Sequence, residues 1–114
     1  MNVTIKRVYE APSPSDGMRI LVDRLWPRGL TKARAHVDLW LPGVAPSTEL
    51  RKWFNHDPGL WDEFSRRYRA ELKGSSDYGT LEEHVRQTHV TLVYAAKDTA
   101  HNNAVVLARL LQSL

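Results

Sequence analysis

Two short runs, Met18 to Val22 (Met-Arg-Ile-Leu-Val) and Val90 to Ala95 (Val-Thr-Leu-Val-Tyr-Ala), are almost continuously apolar, and each passes directly into a polar loop. A strand with one wet face alternates polar and apolar residues. A strand read as an unbroken apolar run is covered on both faces, the condition of parallel strands in an α/β sheet. The residues between the two runs carry helix signals, so strands and helices intermingle along the chain. The expected architecture is α/β: a small, mainly parallel sheet of three to four strands flanked by helices, one domain over residues 1–114. At 114 residues the chain has room for one core and no second domain.

The remaining elements follow from local pattern. Val3 to Tyr9 alternates and is rich in β-branched residues, predicting a first strand; Val37 to Leu41 predicts an edge strand ended by Pro42-Gly43. Asp16-Gly17 reads as a turn. Thr31 caps a helical turn through Ala35, and Ser47 caps a helix through Phe54. Asp57-Pro58 starts another, whose stripe Trp61, Phe64, Tyr68 and Leu72 stops at Gly74. Thr80-Leu81-Glu82-Glu83 has capping-box spacing and opens a helix to about Gln87. The last helix covers Ala104 to Leu111.

Cysteine is absent, which excludes disulfides, thiolate nucleophiles, zinc–thiolate sites and cysteine-held iron–sulfur clusters. No histidine pair has metal-ligand spacing, and neither glycine-rich nucleotide loop nor the Gly-x-Ser-x-Gly elbow occurs, so no metal and no cofactor are expected. No apolar run approaches the roughly 20 residues of a membrane helix. The stretch Met1 to Arg7 lacks the apolar core of a secretory signal, so the expected location is cytoplasmic, away from membranes. The net charge is +3, with eleven arginines to five lysines, a balance that suits bidentate recognition of phosphate or carboxylate.

In open parallel sheets ligands bind outside the carboxyl ends of the strands. Two loops leave such ends here. Asp23 to Gly29 holds Asp23, Arg24, Trp26 and Arg28; Lys97 to Asn103 holds Lys97, Asp98, His101 and Asn103, and feeds a helix N-terminus that favours an anion. A purely structural reading is available for each residue: Asp23 pairing with an arginine, Trp26 packing, Asp98 capping. Asp23 and His101 are the candidate proton carriers. His56 reads as a loop residue beside the cap Asp57, and the run Arg66-Arg67-x-Arg69 as a solvated helix face.

Arg7-Val8-Tyr9-Glu10, followed by Asp16-Gly17-x-Arg19-x-Leu21-Val22-Asp23-Arg24-Leu25-Trp26-Pro27-Arg28-Gly29, closely resembles the YeaO-like branch of the domain-of-unknown-function 488 family. Pro46 to Phe54, His56-Asp57-Pro58 and Phe64-x-x-x-Tyr68-x-x-Glu71-Leu72 resemble its middle section, and Thr91 to Asp98 with Asn103-Ala104-x-Val106-Leu107 its end. The resemblance implies that Arg19, Asp23, Arg24, Trp26, Arg28, Arg51, Lys97 and Asp98 belong to the family signature; it implies no activity. Wider relatives look as if they place a Cys-His-Arg triplet before the last helix. This chain has Ala100-His101-Asn102-Asn103 there, so thiol chemistry is ruled out.

The leading expectation is a protein that binds a small anionic ligand through Arg19, Arg24, Trp26, Arg28, Arg51, Lys97, Asp98 and Asn103, with catalysis left open. A nucleic-acid-binding or regulatory interaction module is the alternative, motivated by a pI near 9.4 and the Arg66–Arg69 run. A third is an interaction protein, monomer or homodimer, with Trp40 or Trp53 in an exposed patch.

Overall fold

The two apolar runs become the two central strands of a four-stranded, wholly parallel sheet. The computed structural model describes residues 3–114; residues 1 and 2, part of the stretch read for a secretory signal, lie outside the described residues. The strands are β1 (Val3–Arg7), β2 (Met18–Leu21), β3 (Leu39–Trp40) and β4 (Val90–Tyr94), in spatial order β1-β4-β2-β3. The registers pair Val3 with Val90, Met18 with Val90 and Ile20 with Leu39. Because β4 and β2 are neighbours, the two loops leaving their carboxyl ends lie side by side.

Strand parity sorts the faces. Ile20, Val22, Leu92 and Tyr94 point into the main core, formed with α2 (Thr48–Phe54), α3 (Trp61–Leu72), α4 (Ser76–Gln87) and α5 (Asn103–Leu111). Leu21 and Val93 point the other way, onto Val8, Trp26, Leu30 and Ala35 of α1 (Lys32–Ala35). Val37 and Ala95 pack there too, and beside this cluster the same face carries a polar group. Lys6 Nζ lies 3.2 Å from Asp16 Oδ1, Arg19 Nη1 lies 2.9 Å from Asp16 Oδ2, and Thr91 Oγ1 donates to the Asp16 carbonyl at 2.6 Å. Burial alone would push the Asp16 carboxyl up. The Ser13 N–H, Arg19 and Lys6 outweigh it and hold the group below the ordinary aspartate range.

Two local expectations need correction. The fourth helix begins at Ser76 with Ser75 as its cap, a turn before the Thr80 capping box. Gly79 lies inside it and reads locally as a breaker, but Ser75 Oγ caps Tyr78 N and Asp77 ties the first turn to Gly43 N at 2.8 Å. Asp57 caps a 3-10 turn over Pro58–Leu60, which then leads into α3.

Gly17 opens β2 with φ +63°, where an added Cβ would stand 2.4 Å from the His89 carbonyl oxygen. That oxygen accepts from Met18 N and starts the β2–β4 ladder. Gly17→Ala is expected to destabilise the protein by about 1–3 kcal/mol, read by urea unfolding.

Candidate functional site

The carboxyl ends of β2 and β4 open into a cavity of about 600 Å³. Its walls come from the β2 exit (Asp23 to Arg28), α2 and the segments on either side of it (Ala45, Pro46, Arg51, Lys52, Phe54, Asn55, His56) and the β4 exit and start of α5 (Ala95, Ala96, His101, Asn102, Asn103), with Tyr9 and Phe64.

Asp23 ties these parts together. Its Oδ2 accepts from Ala95 N at 2.8 Å, and its Oδ1 accepts from Asn103 Nδ2 at 3.3 Å; the same amide donates to the Val22 carbonyl at 2.9 Å. Burial pushes the Asp23 carboxyl above its ordinary value, with the Ala95 N–H, Asn103 and the Arg51 charge opposing. Trp40 Nε1 donates to the Asp23 carbonyl at 2.8 Å, Trp26 Nε1 donates to Leu30 O at 2.7 Å, and the two indoles meet edge to face at 5.7 Å. Tyr9 Oη donates to the Arg28 carbonyl at 2.8 Å, fastening the far end of the loop.

Four cations line this cavity: Arg24, Arg28, Arg51 and Lys52. Among the described residues none of them is in an ion pair, and Asp23 is the one carboxylate facing them. Arg24 reaches only the Ala45 and Pro46 carbonyls, at 3.3 and 3.4 Å. Four cations gathered against one carboxylate, none of them in an ion pair, make a region of positive potential at a concave surface, the arrangement that draws an anion.

His101 also lines the cavity. Asp98 Oδ2 lies 3.0 Å from its Nδ1, and its ring stands edge-on to Trp61 at 5.2 Å. The N-terminus of α5 is capped by the chain itself, Asn102 Oδ1 accepting from Val105 N at 3.1 Å. The side-chain cations, more than the helix start, therefore supply the positive charge. Asn55 and His56 both sit in the left-handed region, φ 45° and 54°, on the cavity wall. For residues with a Cβ this is a strained conformation.

Of the residues expected at the site, the fold brings together Asp23, Arg24, Trp26, Arg28, Arg51, His101 and Asn103. Arg19 is elsewhere: it is the second residue of β2, faces α1, and is 3% exposed. Lys97 is exposed and does not line the cavity; Ala95 and Ala96 occupy the wall at the β4 exit. Asp98 turns back on its own loop, its Oδ1 accepting from Ala100 N at 2.9 Å and His101 N at 3.0 Å, and does not line the cavity. Sequence reasoning missed Lys52, His56 and Tyr9. Lys52 follows Arg51 on α2, which is the one signal that could have found it.

Arg66, Arg67 and Trp53 have local partners. Glu63 bonds both Arg66 and Arg67, which hold its carboxyl down to about 2, and Arg67 lies 4.3 Å over the Trp53 ring. Among the described residues no helix is long and apolar enough to cross a membrane.

The chain is 45% identical over 109 residues to the uncharacterized protein Rv3073c of Mycobacterium tuberculosis, covering 96% of this chain and 92% of that one. It is 45% identical over 115 aligned positions to the uncharacterized protein YeaO of Escherichia coli, covering 100% of both. No solved structure matches it. A family profile described as the inactive DUF488-N3 subclade matches residues 2–114. With YeaO matched end to end and that profile spanning nearly every residue, the chain belongs to the YeaO-like branch of the DUF488 family.

Proposed function

We propose that the chain is a binding protein for a small phosphate- or carboxylate-bearing ligand, held in the cavity at the carboxyl ends of β2 and β4. The observation that carries this reading is the set of four unpaired cations, Arg24, Arg28, Arg51 and Lys52, around one concavity. The ligand is held and not transformed. Asp23 is engaged by Ala95 N–H and Asn103, His101 has no cysteine to activate, and the matching subclade is described as inactive.

Inorganic phosphate and pyrophosphate are the probes, titrated at low ionic strength and read by thermal unfolding. Both are expected to raise the melting temperature with concentration. The Arg24→Ala/Arg28→Ala double variant is expected to keep its fold, since both side chains are exposed, and to bind about tenfold or more weakly. Added salt weakens binding to the wild type. An absent response in the wild type, or an equal response in the double variant, overturns the reading.

A further inference from the structure

We propose that the occupant of this cavity is a free mononucleotide carrying an amino-bearing base, its phosphate held by the cations and its base seated against the apolar rim and Asp23. The inference rests on the anion-site reading above and adds the ligand class.

Four large apolar side chains are exposed among the described residues: Tyr9 (42%), Leu25 (68%), Trp40 (38%) and Leu114 (41%). Tyr9 and Leu25 line the cavity, and Trp40 packs edge-on against Trp26, which lines it too. Single exposed apolar residues need no explanation, but two of the four at one cationic cavity, with a third packed behind its wall, suit a ligand with an apolar surface of its own. A bare phosphate, a sugar phosphate or a small dicarboxylate leaves that rim wet. A planar base covers it, and base–aromatic stacking is indifferent to the rest of the molecule.

Asp23 supplies the third requirement. An ionised carboxylate only accepts hydrogen bonds, at about four lone-pair positions. Two of these are used, by Ala95 N and Asn103 Nδ2. Asp23 itself lines the cavity, and a hydrogen-bond donor on the ligand would serve the remainder. An exocyclic amino group is such a donor, as is a sugar hydroxyl, and an ionised phosphate oxygen is not; of the two donors only the base also covers the apolar rim. The volume of about 600 Å³ lies within the range of small-molecule sites.

The test is calorimetric titration with AMP, CMP and GMP against ribose 5-phosphate, inorganic phosphate and a short 5′-phosphorylated oligonucleotide. At least one mononucleotide is expected to bind about tenfold or more tightly than ribose 5-phosphate. Asp23→Asn is expected to bring the ratio of nucleotide to ribose 5-phosphate affinity toward one. Should that variant fold poorly, Leu25→Ser, at a mostly exposed position, is expected to lower the same ratio about threefold. Equal affinity for all phosphomonoesters overturns the base pocket and leaves the anion site standing. No binding of any probe, inorganic phosphate included, overturns both. An oligonucleotide that binds more than about tenfold tighter than every mononucleotide assigns the cavity to a polymer end and overturns the proposal.

Discussion

Arg19→Ala is expected to lower the free energy of unfolding by about 3–5 kcal/mol, the range seen when one partner of a buried ion pair is removed. The guanidinium is 3% exposed and fully engaged: Nη1 donates to Asp16 Oδ2 at 2.9 Å, Nη2 to Ala35 O at 2.9 Å, and Nε to His36 O at 3.1 Å. Truncation leaves a buried carboxylate with Lys6 as its remaining cation and orphans two carbonyls at the end of α1. His36, at φ 49°, loses one of the two bonds that hold its strained backbone and keeps the one from its N–H to Lys32 O. Arg19→Lys restores the charge but cannot span three acceptors, so it is expected to recover only part of the loss. The pH dependence has a definite sign. Asp16 titrates below its ordinary value in the folded state, so its contribution is full above the ordinary aspartate range. It is lost as pH falls through the lowered native value. In Arg19→Ala that loss begins at higher pH. Urea unfolding at about pH 7 and about pH 4 checks both the size and the direction. The folded Arg19→Ala protein keeps its response to inorganic phosphate, which separates this arginine from Arg24 and Arg28.

The misplacement of Arg19 shows where sequence reasoning stops. Parity within Met18 to Val22 tells which residues share a face, but not that Asp16 and Lys6 stand on that face to neutralise a guanidinium. The central strands were legible because unbroken apolar runs have few other uses, and Ser47 was legible because its cap is local, accepting from Leu50 N at 3.1 Å. Asp23, Arg24, Arg28, His101 and Asn103 were expected together by one rule, that ligands sit beyond the carboxyl ends of parallel strands, and they do line one cavity. Lys97 obeys the same rule in sequence and fails it in space, because the Asp98 turn folds its own loop back and leaves the lysine in solvent. Lys52 and His56 depend on where α2 docks. Ser47 N and Oγ clamp Glu71 of α3 at 2.9 and 2.6 Å, which sets that placement, and no local pattern announces a bond across 24 residues.

Phe64→Ala is expected to cost about 3–5 kcal/mol, by lost burial and by the void left behind. Phe64 is 2% exposed, stacked on Phe54 at 4.3 Å and on Trp61 at 5.7 Å, and tilted against Tyr68 at 5.7 Å. Its neighbours are poorly placed to collapse into the space. Tyr68 is fixed by its hydrogen bond to the Val44 carbonyl, and burial, with the Asp23 and Glu71 charges, raises its phenol so that it stays a donor. The Ser47–Glu71 clamp holds α2 against α3, so Phe54 cannot slide inward either. Phe64→Leu keeps most of the volume and is expected to cost roughly 1–2 kcal/mol by denaturant unfolding. Phe64 also forms the back wall of the cavity, and Trp61 carries the same stack to His101. Stability and ligand affinity should nevertheless part company. Arg24 and Arg28 sit on the β2 exit loop, fastened by Tyr9 and Trp26 and not by the stack, so the folded fraction of Phe64→Ala is expected to bind inorganic phosphate within about threefold of wild type. A loss matching that of the double arginine variant would assign anion affinity to the back wall and remove the cations from their central role.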